Sequence, residues 1–159
     1  MTEAGDSFGT LFSYEPAGNT YTKLLSFNRT NGQQFVYENG FTLHNELLYG
    51  VTRDGGTGFA GVLFSFEPAS NTYTVLHNFE RTSGFPSGRL TVYNGLLYGT
   101  TSVGSTLFSF DPTSNTYTKL YDFNKTNDGI PRNGLTVYNG KLYGTTRTGG
   151  TGFVGVLFS

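Results

Sequence analysis

The chain has 159 residues, with Lys+Arg 10 against Asp+Glu 11, two His, no Cys, no Trp and a formal net charge of -1. Charged residues are only 13%, about half the roughly 25% of an ordinary soluble domain, and Gly (23), Phe (15) and Tyr (11) take their place. A near-neutral chain is no electrostatic platform for nucleic acid. No apolar run approaches the ~18 residues of a membrane helix. Without Cys there is no disulfide, thiolate metal site or cysteine nucleophile. The opening Met1-Thr-Glu-Ala-Gly-Asp6 has neither a basic nor an apolar region, so no signal peptide is visible.

Internal repetition dominates the rest of the chain. Leu11-Phe-Ser-Tyr-Glu-Pro-Ala-Gly-Asn-Thr-Tyr-Thr22 returns as Leu63-Phe-Ser-Phe-Glu-Pro-Ala-Ser-Asn-Thr-Tyr-Thr74 and as Leu107-Phe-Ser-Phe-Asp-Pro-Thr-Ser-Asn-Thr-Tyr-Thr118. Leu-Thr-Val-Tyr-Asn-Gly stands at 90–95 and 135–140, and Leu-Tyr-Gly at 48–50, 97–99 and 142–144. Counted from each Leu-Phe-Ser, residues 1–159 form one repeat array with units 11–62, 63–106 and 107–156, and a further unit begins at 157–159. Unit one diverges in its middle, at Phe35-Val-Tyr-Glu-Asn-Gly-Phe-Thr-Leu-His44.

Each unit reads as short strands joined by turns. Leu107 to Asp111 alternates and stops at Pro112; Pro112-Thr-Ser-Asn115 is a turn, with Pro setting φ and Asn tolerating the left-handed region. Tyr117-Thr-Lys-Leu-Tyr-Asp-Phe123 alternates again, which places Tyr117, Tyr121 and Phe123 on one face. Asn94-Gly95 and Asn139-Gly140 are hairpin tips, because a type I′ turn needs positive φ at both positions. Strands are expected near 11–15, 20–27, 47–51, 62–67, 72–79, 90–93, 97–101, 106–111, 116–123, 135–138, 142–146 and 156–159, with no helix.

Four antiparallel strands per repeat, at a period of ~40–50 residues, fit an all-β chain of β-propeller blades, about three repeats long. A β-solenoid is the rival, disfavoured because its coils are usually shorter and lack Asn-Gly hairpins. Phe64, Phe108 and Phe158 are expected to be buried at equivalent positions between blades. Gly144 suits the crowded innermost strand. Leu-Tyr-Gly-Thr-Thr, a Gly-rich loop, Gly-x-Leu-Phe-Ser and Asp128-Gly-Ile-Pro131 together resemble the bacterial GloVer tandem repeat. Unit two keeps Gly84 and Pro86 without the Asp, and unit one lacks the Pro. The resemblance implies propeller-like arrays in large secreted or surface-anchored proteins, hence an extracellular or cell-surface location, and it carries no catalytic residues.

The residues themselves offer little chemistry. His44 and His77 do not recur between units and lie in no nucleophile motif. Glu15, Glu67 and Asp111 precede Pro at a strand end, where turn amides are their natural partners rather than a glycosidic bond. Arg53-Asp-Gly-Gly-Thr-Gly-Phe-Ala-Gly61 and Arg147-Thr-Gly-Gly-Thr-Gly-Phe-Val-Gly155 precede strands and lack the Lys-Ser/Thr ending of a phosphate loop. Asp54 alone does not make a calcium site. No catalytic, cofactor or metal residue is therefore assigned. Arg53, Asp54, Phe59, Arg147 and Phe153 are candidates for an interaction surface, although Phe59 and Phe153 read first as plugs between blades. Asn28-Arg-Thr30 and Asn124-Lys-Thr126 are glycosylation sequons in loops.

Two functions fit. The first is a non-enzymatic structural array that assembles head-to-tail into a ring or fibre. The second is a lectin-like propeller binding glycans, against which the absence of Trp counts. With Leu-Tyr-Gly taken as the inner strand, the chain starts a blade at its second strand and ends with an inner strand plus a second-strand copy. One blade is then open at each end. Three blades do not readily close a ring, since propellers have ~4–8, so the chain is expected to be a self-associating protomer or an excerpt of a longer array. A continuing assembly is favoured over a two-chain ring, because Leu157-Phe-Ser159 duplicates a strand a closed ring would not need.

Overall fold

The computed structural model describes residues 8–33, 40–150, 152 and 155–159. Among these residues every regular element is a strand: β1 (Thr10–Glu15), β2 (Thr20–Ser26), β3 (Thr42–His44), β4 (Leu47–Val51), β5 (Val62–Glu67), β6 (Thr72–Asn78), β7 (Pro86–Tyr93), β8 (Leu96–Thr101), β9 (Thr106–Asp111), β10 (Thr116–Asp122), β11 (Thr136–Tyr138), β12 (Lys141–Thr145) and β13 (Leu157–Phe158). They form four antiparallel sheets, β1-β2, β3-β4-β5-β6, β7-β8-β9-β10 and β11-β12-β13. The two complete sheets are propeller blades, and the array is not closed into a ring.

The turns arise from the residues that can hold them. Asn19, Asn71 and Asn115 stand at φ 49°, 56° and 53° in the hairpins that come after Glu-Pro or Asp-Pro. Asn94-Gly95 and Asn139-Gly140 both have positive φ at the β7–β8 and β11–β12 tips, as a type I′ turn requires. The β3–β4 tip makes the same turn with Asn45 at 47° and Glu46 at 63°. A glutamate there is unusual, and it hides the hairpin: β3 lies in the stretch of unit one where the sequence suggested no strand.

The first strands of neighbouring sheets are stitched together. Thr42 Oγ1 donates to the Leu90 carbonyl at 2.6 Å, and Thr91 Oγ1 donates to the Leu135 carbonyl at 2.6 Å. The innermost strands are therefore β3, β7 and β11. Leu-Tyr-Gly lies on the second strands β4, β8 and β12, and Leu-Phe-Ser on the third strands β5, β9 and β13. This corrects the assignment of Leu-Tyr-Gly to the innermost position. Each complete sheet draws its first two strands from one sequence repeat and its last two from the next, so consecutive repeats interlock. The first sheet holds only third and fourth strands; the fourth sheet lacks a fourth strand among the described residues.

The glycine of Leu-Tyr-Gly has a different reason from crowding at the axis. Gly50 pairs with Phe64, Gly99 with Phe108 and Gly144 with Phe158 across the second and third strands. The phenyl ring lies flat over each glycine, so that a Cβ would stand 2.6, 2.4 and 2.4 Å from the ring Cζ. Phe64 and Phe108 are fully buried. Phe158 is only half-buried, contrary to expectation, and among the described residues no fourth strand pairs with β13.

Phe64 and Phe66 pack with Leu11, Phe27 and Val62 between the first two sheets. Leu63 faces the other way, into the core between the second and third sheets with Phe79, Leu90, Leu97, Phe108 and Phe110. Strict alternation fails where the ladders carry bulges, in the β1–β2, β5–β6, β7–β8 and β9–β10 pairs, and the last of these re-aims the tyrosines. The register shifts between Lys119 and Tyr121, and such a bulge turns the residues beyond it to the opposite face. Tyr117 therefore packs back on the second sheet, whereas Tyr121 and Phe123 face forward to the fourth. They do not share one face as the simple period predicts.

Candidate interaction surface

The contact between consecutive sheets is an aromatic joint repeated along the array. Between the first and second sheets, Tyr73 of β6 lies 5.8 Å from Phe27 and 5.0 Å from Phe64, and its hydroxyl donates to the Asn31 carbonyl. Between the second and third sheets, Tyr117 of β10 lies 5.8 Å from Phe79 and 5.3 Å from Phe108. Burial raises the phenol pKa of both tyrosines. At the third joint, Phe123 meets Phe158 at 4.8 Å. Beside this contact is a cavity of about 550 Å³ lined by Leu107, Tyr121, Phe123, Asp128, Leu142 and Phe158, among others.

The aromatics of the first sheet are exposed. Phe12 and Tyr21, the counterparts of Phe64 and Tyr73, stack on each other at 5.3 Å and are 56% and 59% exposed. Tyr14, in the place of the buried Phe66 and Phe110, is also exposed. Leu120 and Tyr121 of β10 in the third sheet and Leu157 of β13 in the fourth are exposed as well. Sequence reasoning missed the Phe–Tyr pairing, although the recurring Asn-Thr-Tyr-Thr at 19–22, 71–74 and 115–118 carried its signal.

The glycine-rich loops are built on a buried threonine that sequence reasoning also missed. Thr52 Oγ1 donates to the Asp54 carbonyl at 3.0 Å and accepts from Val62 N at 3.1 Å. Thr146 repeats this with Thr148 and Val156, and Thr101 accepts from Thr106 N. Leu-Tyr-Gly-x-Thr, at 48–52, 97–101 and 142–146, was its signature. Asp54 exchanges two backbone hydrogen bonds with Gln33, at 2.8 and 3.0 Å. Arg53 is exposed, 4.0 Å from the Asp54 carboxylate. Phe59 does not plug the gap between blades. It stands at φ 54°, 56% exposed, with the Arg81 guanidinium 5.7 Å from its ring centroid, and the small Ala60 is buried instead. Arg147 is exposed on the β12–β13 loop of a different sheet. Phe153 lies outside the described residues.

Among the described residues no three His, Cys, Asp or Glu side chains converge on a metal-sized site. Asp111 accepts from Thr113 N at 2.8 Å and from the Thr113 and Ser114 hydroxyls at 2.7 and 2.9 Å. These bonds hold its carboxyl down to about 2. Glu67 likewise accepts from Ser70. Asn28 and Asn124 are exposed, with side-chain oxygens capping Thr30 N and Thr126 N. His44 is half-buried beside Tyr49, with Asn45 Nδ2 at 3.2 Å from its Nε2.

His77 belongs to the second joint. Its ring stacks on Tyr117 at 4.0 Å and 3° and meets Phe79 edge-on at 4.9 Å. Burial lowers its pKa below 6.5, against the opposing pull of Glu80. Folding therefore favours the neutral ring. The stability it supports is complete above pH 6.5 and falls as pH drops from there toward the lower folded value. Urea midpoints measured across that window are expected to decline on acidification, and His77→Tyr, the residue that unit three uses at 121, is expected to flatten the decline.

Strands in four-stranded antiparallel sheets, joined by aromatic packing and open at both incomplete blades, define a β-propeller repeat array. The chain belongs to the Gloeobacter/Verrucomicrobia repeat family, whose model matches residues 1–158. No curated protein matches it. Among solved structures it is similar to one described as "Crystal structure of Nidogen/Laminin Complex", with a TM-score of 0.61 at 14% identity over 89% of this chain and 49% of that one. At that identity the likeness is one of fold, and the chain spans about half the length of that structure.

Proposed function

We propose that the chain is a non-enzymatic structural repeat protein of the cell surface or extracellular space, whose blades join head-to-tail into a ring or fibre. The observation that supports this reading is the interlocking of consecutive units: each complete sheet draws two strands from one repeat and two from the next, and the same aromatic joint recurs between sheets. Heterologous contacts of this kind close into rings or run on as filaments. Multi-angle light scattering with electron microscopy tests it. Concentration-dependent species larger than 17.3 kDa, seen as rings or filaments, are expected; a stable, cooperatively unfolding monomer at every concentration would overturn it.

A glycan-binding role draws support from one feature. Tyr138 is 64% exposed beside Tyr143, and the Tyr93–Tyr98 pair repeats this arrangement one blade earlier. A glycan array separates this reading from the structural one.

A further inference from the structure

The two ends of the sheets carry opposite charge. In these antiparallel meanders the hairpins turn at one end, and the glycine-rich loops and the connections out of β2, β6 and β10 lie at the other. Hydrogen bonds weave the loops into one surface: Gly56 N donates to the Arg29 carbonyl, Phe85 N to that of Ala60 and Gly150 N to that of Asn127. Every arginine of the chain belongs to this end. Arg29, Arg53, Arg81, Arg132 and Arg147 stand in its loops, Arg89 stands in the half of β7 that begins there, and all are exposed. Among the described residues the acids of this end are Asp54, Glu80 and Asp128, and only Glu80 is exposed. Asp128 Oδ2 is turned inward, accepting from the Tyr121 hydroxyl at 3.0 Å and from Asn124 N at 2.9 Å. The hairpin end is the reverse: it carries Glu15, Glu46, Glu67 and Asp111 against Lys141.

Two rows on these ends keep step with the blades. Glu15, Glu67 and Asp111 stand at the turns of the outer hairpins β1–β2, β5–β6 and β9–β10. Arg29, Arg81 and Lys125 follow the last strands of the same three hairpins, each just before a threonine. One acid and one cation therefore lie at opposite ends of each outer hairpin, and the two rows share one spacing. Both rows are held. Glu67 accepts from Ser70, and Asp111 from the Thr113 and Ser114 hydroxyls. The Arg29 guanidinium lies 5.9 Å from the Phe8 ring centroid, and that of Arg81 lies 5.7 Å from the Phe59 centroid. A guanidinium propped by its face on a ring keeps its in-plane fork of N–H donors for a carboxylate.

We propose that the loop end receives the hairpin end of a second copy, stacked along the axis that the inner strands surround, with Glu15 on Arg29, Glu67 on Arg81 and Asp111 on Lys125. Charge complementarity and the shared spacing select this occupant, since the chain itself presents carboxylates at the interval of its own cations. The contact runs perpendicular to the head-to-tail joints and does not depend on them. It also gives the exposed Phe59, held at φ 54°, a purpose as the prop of Arg81. A single exposed ion pair is weak and screened by salt. Three pairs on rigid rows engage together, so the stack forms at low ionic strength and separates at high.

The test uses the full chain. Between about 0.01 M and about 1 M salt the screening length falls from roughly 30 Å to 3 Å, and sedimentation equilibrium is expected to show self-association weakened about tenfold or more. Arg29→Glu with Arg81→Glu, or Glu15→Lys with Glu67→Lys, sets like charges against each other and is expected to weaken low-salt association about tenfold or more, with circular dichroism checking the fold. An equal mixture of the two double variants is expected to restore it, because each reversed row then meets a reversed row. Wild-type association indifferent to salt would overturn the stack without any variant. Association that survives both reversals would overturn it while leaving head-to-tail assembly standing, and so would a loss in both variants that mixing does not recover. A wild-type chain that is monomeric yet binds a polyuronate through Arg29 and Arg81 would also overturn it, and would assign the loop end to an external polyanion.

Discussion

Phe108→Ala is expected to cost about 3–5 kcal/mol of folding stability, the range for deleting a buried core aromatic. The ring is fully buried and serves three partners at once. It lies over Gly99 within its own sheet, meets Phe79 of the preceding sheet at 5.4 Å, and backs Tyr117 at 5.3 Å. Truncation empties the middle of a joint whose walls are sheets held by backbone ladders, so collapse around the void is limited. Because the glycine beneath has no side chain to offer, nothing local refills the space. The same substitution at Phe12, which has the same sequence context but is 56% exposed, is expected to cost less than about 1 kcal/mol where the chain is monomeric. Urea unfolding of the two variants, compared at constant m-value, checks the pair. A loss below about 1 kcal/mol at Phe108 would mean that its ring does not hold the joint.

That contrast shows what a repeat sequence can and cannot display. The strands were legible because β-branched and aromatic residues alternate between Asn-Gly and Pro-containing turns, and the observed β5, β9 and β12 lie within a residue or so of expectation. The phase of the blade was not. A cyclic run of four strands has no first member in sequence, and only the Gly–Phe pairings and the threonine stitches reveal that Leu-Tyr-Gly is second. β3 escaped notice because Asn45-Glu46 places a residue with a Cβ where Gly95 and Gly140 stand elsewhere. β7 begins at Pro86, four residues before the expected start, because a register shift between Ser87 and Thr91 interrupts the alternation that marks a strand. The candidate surface was partly legible in the same way. Asn-Thr-Tyr-Thr announced that its tyrosine mattered, but the bulge after Lys119 decides that Tyr117 looks backward and Tyr121 forward, and a bulge leaves no mark on period-two reading.

Gly61→Ala is expected to be the other severe substitution, at about 2–5 kcal/mol, and Gly95→Ala is its control. Both glycines have positive φ, 100° and 79°, a region that costs an L-residue about 1–2 kcal/mol. They differ in surroundings. At Gly95 an added Cβ meets nothing within 4 Å, whereas at Gly61 it would stand 2.1 Å from the Thr52 carbonyl oxygen and 2.8 Å from that of Arg53. Neither obstacle is a flexible side-chain end, so the backbone must move, and overpacking of this kind adds about 1–3 kcal/mol. The movement has consequences beyond the loop. The Gly61 carbonyl accepts from Phe79 N at 3.0 Å, and Gly61 N donates to the Gly55 carbonyl at 3.0 Å. Displacing Gly61 therefore slackens the glycine-rich loop and shifts Phe79, the aromatic on which Phe108 and Tyr117 close the joint. Gly155, at φ 105° with the Thr146 carbonyl 2.2 Å from its added Cβ, repeats the geometry in the incomplete fourth sheet. Alanine there is expected to disturb only that sheet, leaving the main unfolding transition near its wild-type midpoint. Thermal melts of the three variants decide the matter. Equal losses at Gly61 and Gly95 would mean that dihedral strain alone governs both and that the loop does not brace the joint.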